Sequence, residues 1–315
     1  MNLEEEFEQH RGALIAHCYR MLGSFHDAED IVQETFLRAW NAYDEFEHRS
    51  SVKTWLHRIA THLCLNALEH SSRRLVPSAL GAPGTDPGRL EAPRLAANWL
   101  EPLPGTYLTA DPASVVGERQ SLRLAMVAAL QHLPPRQRAV LILRDVLRWP
   151  AADVAGALAT TPVAVNSALL RARAELARRA PVEDDLSEPD EPSRRALLDD
   201  YAAAFEKLDF GALEQLLTQD VRWEMPPVPT WFSGRDNVLG LLRVKLLPGA
   251  RMRIMVPTTA NGQPAFALYT RGADELYHAR YLQVLTLARD GIGSVLAFHR
   301  PDLFPSFGLP ATRSM

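Results

Sequence analysis

The chain has 315 residues, 47% of them hydrophobic, enough for two or three domains with real cores. Its net charge of -4 conceals alternating acidic and basic blocks, which argue for separate contact surfaces and against a uniformly charged enzyme. Cys18 and Cys64 sit among apolar residues at helical spacing, which excludes a disulfide framework or a metal site; an acidic start (Glu4, Glu5, Glu6) and no membrane-length apolar run predict a cytoplasmic protein.

Residues 3–76 read as a helical domain. Phe7, Leu14, Ile15, Cys18, Met21 and Leu22 stripe a first helix, which Gly23 ends. Ser24 or Asp27 caps the second, in which Ala28, Ile31, Val32, Thr35, Phe36 and Ala39 face inward. Asp27, Asp30, Gln33, Glu34 and Arg38 stay outside, within a first fifty residues holding eleven acids and four arginines. A loop from Tyr43 to Ser51 precedes a third helix, Val52 to Leu68, which places Arg58, His62 and Asn66 on or near one face at i, i+4, i+8.

Residues 77–116 carry prolines at 77, 83, 87, 93, 102, 104 and 112 and four glycines, which predicts an extended linker without packed helix or sheet. Trp99 and Leu100 interrupt it with bulky apolar side chains that suit a docking peg. Residues 117–180 predict three short helices, the last two in helix-turn-helix spacing. Pro134-Pro135 and Trp149-Pro150 start the first two, and Thr161-Pro162 the third, whose buried face is Val165, Ala168, Leu169 and Ala172. Asn166, Ser167, Leu170, Arg171 and Arg173 point outward. From 118 to 180 ten arginines face four acids, a footprint suited to DNA phosphates, although a helical bundle with a solvated basic face fits the same stretch.

An acidic, proline-containing tether, 181–192, leads to a domain at 193–312. It opens with helices at Arg194–Phe205 and Asp209–Leu217, a strand at Val221–Met225 and a helix at Asp236–Leu247. Strands at Arg251–Pro257, Ala265–Arg271, His278–Leu287 and Gly293–His299 follow. Helices first and antiparallel strands later predict an α+β fold.

DAEDIVQETFLRAW followed by KTWLHRIATHLCLNAL resembles region 2 of bacterial sigma-70-type factors of the extracytoplasmic-function group, and Leu133–Arg179 resembles their region 4. DVRWEMPPVPTWFSGRDNV and the element order resemble the cone-shaped SnoaL-like domains of the ketosteroid-isomerase superfamily, which some such factors carry at this place. The resemblance implies a multidomain protein: two all-α sigma domains (a region 2 helical bundle and a region 4 helix-turn-helix) followed by a cone-shaped α+β domain. Its partners would be core RNA polymerase, through the β′ clamp and the β flap, and promoter DNA, with no membrane, metal or cofactor.

By the same resemblance Asp27, Asp30, Gln33 and Glu34 meet polymerase. Lys53, Trp55, Arg58, His62 and Asn66 engage the -10 element, where an unstacked base needs a pocket. Trp55 suits that pocket and the bundle core equally, and His62 alone reads more often as a surface histidine. Asn166, Ser167, Leu170, Arg171 and Arg173 read the -35 element in the major groove, Arg171 having the best base-reading chemistry. Asn166 and Ala168 stand where relatives often carry basic residues, and Ala159 where glycine is common, which implies a weakened or unusual -35 preference. The linker of such factors threads through polymerase, and Asn98-Trp99-Leu100-Glu101-Pro102 resembles the Trp-Leu-Pro-type motif of those with an extension. The Asp-Gly-rich motif of one related group is replaced by Asn261-Gly262-Gln263-Pro264.

The C-terminal domain then regulates in cis, by contacting the linker or region 2, or by sensing a small ligand in its cone. An isomerase or cyclase with a DNA-binding appendage is the alternative. It would need a catalytic carboxylate or histidine in an apolar cone. Asp220, Glu224, Asp274, His278 and His299 are available but form no recognisable constellation. A regulator acting without polymerase is disfavoured by the pairing of region 2 and region 4 motifs.

Overall fold

The computed structural model describes residues 3–46, 50–69, 73–108, 120–178, 191–248 and 251–314. Most of the acidic tether (181–190), the end of the linker (109–116), Glu118, Arg119 and Arg179 lie outside the described residues. The chain forms two compact units, one of residues 1–74 and 100–180, the other of 75–99 and 181–315.

The first unit is all helix. α1 (Leu3–Leu22) carries Glu4, Glu5 and Glu6 in its first turn, where carboxylates favour the helix dipole. Gly23 ends it at φ +69°, a left-handed conformation that glycine adopts without strain. Ser24, one of the two expected caps, starts α2 (Phe25–Asn41) by accepting the Asp27 N–H at 3.2 Å. α3 (Val52–Glu69) completes a bundle whose core includes Leu14, Ile15, Cys18, Val32, Leu56, Ala60 and Cys64. The two cysteines are buried, and their packing together pushes the Cys64 thiol up, burial first and Cys18 second.

Next come α4 (Leu124–Leu130), which sequence reading missed, and α5 (Pro135–Leu141), continued by a π turn at Ile142–Val146. α6 (Ala151–Ala157) and α7 (Pro162–Ala177) are the helix-turn-helix, and the Thr161 hydroxyl caps α7 by accepting the Ala164 N–H at 3.2 Å. Between them Ala159 sits at φ +50°, which explains why glycine suits this turn. Arg138, one of the ten arginines of the 118–180 stretch, is withdrawn from the surface. It is 3% exposed and donates to Gln131 Oε1 at 2.8 Å and to the carbonyls of Gln131, Leu133 and Met21, tying α5 to α1.

The second unit is α+β. α8 (Glu191–Lys207) and α9 (Phe210–Leu216, capped by Asp209) precede a seven-stranded sheet. Its strands are β1 (Leu217–Met225), β2 (Val228–Ser233), β3 (Arg253–Ala260), β4 (Gln263–Arg271), β5 (Tyr277–Ala288), β6 (Gly291–Phe298) and the short β7 (Thr312–Arg313). The order is β2-β1-β6-β5-β4-β3, with β7 on β5 and α10 (Arg235–Leu246) between β2 and β3 in sequence. The sheet is not wholly antiparallel as expected, because β1 pairs with β6 in parallel. β2 hides in a proline-rich stretch; as an edge strand it tolerates Pro229. One sheet face packs Trp223, Met225, Phe266, Leu268, Leu285 and Val295 against Tyr201 and Phe205 of α8 and Val238 and Leu242 of α10.

The expectation of an extended linker is overturned for residues 75–99, which fold onto this sheet as a strap over the β2 edge. The Ser78 N–H and hydroxyl donate to the Glu224 carboxylate at 2.8 and 3.1 Å. The Gly84 N–H donates to the Trp231 carbonyl at 2.7 Å and the Arg94 N–H to the Pro227 carbonyl at 2.9 Å. The Trp231 indole returns a bond to the Gly81 carbonyl, and Leu90 reaches the apolar core. A Cβ on Gly84 would stand 3.0 Å from Thr230 Cγ2 and 3.1 Å from Phe232 Cε1, so only glycine passes this close to the edge without displacing them. A sheet edge satisfies backbone donors that proline-rich sequence cannot satisfy by itself.

Candidate nucleic-acid interface

α3 presents Lys53, Arg58, His62 and Asn66 to solvent, the last three along one face, while Leu56, Ala60 and Leu63 face the bundle. The half-buried Trp55 stacks on Phe46 with ring centroids 4.5 Å apart, and Tyr43 lies 6.3 Å from both. In this cluster at the base of the α2–α3 loop Trp55 is half-buried beside Phe46 and Tyr43 and is absent from the fully buried residues of the bundle. Such rings supply the sequence-tolerant stacking an extruded base needs.

Beneath α3, His17 Nε2 lies 2.9 Å from Thr61 Oγ1, and His57 Nδ1 lies 2.8 Å from the Lys53 carbonyl. Burial lowers both histidines, His57 to about 4, so both are neutral near pH 7.

On α2, Asp30 and Gln33 are exposed and Glu34 is half-buried, paired at 2.7 Å with Arg38. Asp27 differs, because Arg74 binds its carboxylate. Leu37 (61% exposed) and Trp40 (53%) extend the same outer surface, and sequence reading passed them over. An acidic helix bearing an exposed tryptophan has the make-up of a protein-binding face.

The α7 face matches expectation. Asn166, Ser167, Leu170 and Arg171 are exposed, and Val165, Leu169 and Ala172 are buried against α5 and α6. Arg173 is exposed but engaged, donating to both Asp145 carboxylate oxygens at 2.7 and 2.8 Å. Among the described residues of this face, Arg171 is an exposed guanidinium beside the short polar Asn166 and Ser167.

Trp99 and Leu100 are both buried, in different units. The Trp99 indole donates to the Arg94 carbonyl at 2.8 Å, closing the strap, whereas Leu100 packs on Gly23. The adjacent Glu101 was not anticipated as a site residue. Its carboxylate accepts Ser24 Oγ–H at 2.8 Å and lies 3.0 Å from His26 Nδ1, at the start of α2. Burial pushes Glu101 up, but the bonds from His26 and Ser24 outweigh it and hold its carboxyl below the usual value.

The five groups considered for catalysis are scattered. Asp220 is exposed, Asp274 pairs with His278 at 2.9 Å in an exposed turn, Glu224 is bound by the strap, and His299 is stacked on Tyr281. No two sit together facing a cavity. No cluster of metal-ligating side chains occurs among the described residues, and no single described helix is long and apolar enough to cross a membrane.

Three family models match the chain: Sigma-70 region 2 over residues 7–74, Sigma-70 region 4 over 123–176 and a SnoaL-like domain over 198–292. The ECF RNA polymerase sigma factor SigG of Mycobacterium tuberculosis is 51% identical over 308 residues, spanning 96% of this chain and 82% of the relative. SigJ of the same organism is 30% identical over 218 residues, 69% of this chain and 62% of the relative. The crystal structure of SigJ shares the fold, with a TM-score of 0.62 at 24% identity over 98% of this chain and all of that one.

Proposed function

The chain belongs to the extracytoplasmic-function RNA polymerase sigma factors, transcription initiation factors that bind core polymerase and promoter DNA, and we propose how its surfaces divide that work. The α2 face of Asp30, Gln33, Glu34, Leu37 and Trp40 docks on the β′ clamp. Asp27 joins it once Arg74 lets go. α3 and the Tyr43–Phe46–Trp55 platform hold the -10 strand, with Arg58 and Lys53 on phosphate and Asn66 and His62 at the base. α7 enters the major groove at -35 with Asn166, Ser167, Leu170 and Arg171, while Arg173 reaches phosphate only by leaving Asp145. Contacts to the β flap come from the same helix-turn-helix domain. The protein works in the cytoplasm, where its polymerase is.

The observation that carries this reading is the exposed polar row Arg58–His62–Asn66 beside an aromatic platform, in a chain that also carries a capped recognition helix. Run-off transcription with core polymerase tests it. Full-length protein should give promoter-specific transcripts, and Asn66→Ala with Trp55→Ala should abolish melting while leaving polymerase binding intact. Absence of any transcript from the full chain and from a chain ending at residue 180 sinks the reading.

The sheet domain regulates in cis. Residues 75–99 cannot lie along β2 and thread through polymerase at once, so holding the strap opposes holoenzyme assembly. A small ligand in the domain would shift that balance only by binding its strap-held and strap-free states unequally. Truncation at 180 removes the strap's seat and should raise run-off activity; equal activity of both chains defeats the regulatory role.

A further inference from the structure

The outward residues of α7 divide into a centre and two margins. At about 100° per residue, Val163, Leu170 and Ala174 fall within about 40° of one line along the helix, with Asn166 to one side and Ser167 to the other. All five are exposed, Val163 at 76% and Leu170 at 72%. Packing gives these two no role, because Val165, Leu169 and Ala172 on the opposite side meet α5 and α6. The guanidiniums of Arg171 and Arg173 belong to residues about 80° to either side of Val163, at the margins of the face. That of Arg173 is engaged by Asp145 at 2.7 and 2.8 Å. A helix of DNA-reading form thus has an apolar centre line, and its cations stand at the edges.

In the major groove the purines and cytosine present ring nitrogen, carbonyl or amino groups, whereas thymine presents a 5-methyl beside its O4. Against Val163 and Leu170, guanine O6 and N7 would lose water and gain no donor, which is unfavourable. A thymine methyl loses nothing there and leaves water. Beside the apolar line, the Asn166 amide suits adenine N6 and N7, and the Ser167 hydroxyl suits any base. The face is therefore matched to A·T pairs. We propose that Val163 and Leu170 are specificity-determining residues that read thymine 5-methyl groups in the -35 element, with Asn166 on a neighbouring adenine. Sequence reading passed over Val163, which as an isolated valine carries no sign of its exposure. The assignment rests on α7 lying in the -35 major groove and deepens that reading by naming the base chemistry it selects. It also gives a physical sense to the lack of basic side chains at Asn166 and Ala168: a charge there would have to shed water beside a methyl group.

The test uses holoenzyme assembled from the full-length chain and core polymerase, with promoters selected by binding from a library randomised through the -35 element. Thymines of the selected element are replaced one at a time by deoxyuridine, which removes the methyl and keeps the pairing edge. Affinity should fall about fourfold at each of two positions, the effect of one methyl group. In the Val163→Ala holoenzyme one of these positions should become indifferent to deoxyuridine, and in the Leu170→Ala holoenzyme the other. Both side chains are exposed, so shortening them leaves the core of the domain intact. The fourfold effect should be the same at about 50 and 200 mM salt, because no phosphate contact changes. Arg171→Ala scores the placement of α7 itself and should weaken binding to every -35 element. Weakening there, combined with a G·C-only selected element, indifference to deoxyuridine at every thymine, or deoxyuridine effects unchanged in either substituted holoenzyme, overturns this proposal alone. Unchanged -35 preference and affinity in all three variants overturn it together with the placement of α7.

Discussion

Residues 75–99 and 100–108 are consecutive and both contain prolines, but they are secured by different means. The strap is held chiefly by main-chain bonds, from Ser78, Gly84, Glu91 and Arg94 to the β1–β2 edge, with most of its side chains in water. The following segment is held by buried side chains: Leu100 at 1% exposure, Leu103 at 0% and Glu101 at 7%. Tyr19 donates to the Glu101 carbonyl at 2.6 Å, and Ser24 to its carboxylate. A typical main-chain bond contributes a net of about 0.5–1.5 kcal/mol because water offers a substitute, whereas an orphaned buried charge or donor has none. The chain therefore passes from a segment held mainly through main-chain donors to one held by buried side chains within one residue, at Trp99–Leu100.

The largest effect should come from the fixed side. Glu101→Ala leaves Ser24, His26 and the start of α2 without their acceptor and should cost about 3 kcal/mol in urea unfolding of the helical unit. A loss under about 1 kcal/mol would erase the distinction between the segments. On the strap, Gly84→Leu should cost about 1–2 kcal/mol by crowding Thr230 and Phe232. Amide exchange at Glu91 and Arg94 should then quicken about tenfold while exchange in α2 stays as it was, and full-length run-off activity should rise. Unchanged strap exchange would show that side-chain contacts matter more there than the hydrogen bonds imply.

Acid should move the two segments in opposite directions. Glu101 is held below its ordinary value of 4.5, so its contribution is present above that pH and is lost as pH falls beneath it. Burial pushes Glu224 above 4.5, so its contribution is present below 4.5 and is lost as pH rises through its folded value. Proton uptake on unfolding, followed in Glu101→Gln and Glu224→Gln proteins between pH 3 and about 7, should therefore change with opposite sign. Matching signs would contradict the assignment. The smallest effect calibrates pure backbone strain: Ala159→Gly should stabilise the helical unit by about 0.5–1 kcal/mol by relieving φ +50°, seen as a rise of a few degrees in Tm.

Much of this was legible in the sequence for local reasons. Thr161-Pro162 marks the start of α7, Ser24 the start of α2, and the apolar periodicity of both helices orders Asn166, Ser167, Leu170 and Arg171 outward. Arg58, His62 and Asn66 follow from helical spacing alone. What stayed hidden depends on partners distant in sequence. Glu101 bonds to residues 77 positions earlier, and Arg138 to Met21, 117 positions away, so neither reads as more than a charged residue in its neighbourhood. The strap was misread because proline and glycine content reports what a segment cannot do for itself, not what an open sheet edge can do for it. β2 was obscured for the related reason that edge strands admit proline.

The strap also has a consequence in time. Ser78 and its partner Glu224 are 146 positions apart, and at about 5–20 residues per second the ribosome delivers the second about 7–30 s after the first. Residues 1–180, and with them both helical domains, are complete only for the last 44 of those 146 positions, so for about 2–9 s both exist while the surface that will hold residues 75–99 does not. On the proposed reading of the sheet domain, its hold on residues 75–99 is therefore formed last, after both helical domains have been made.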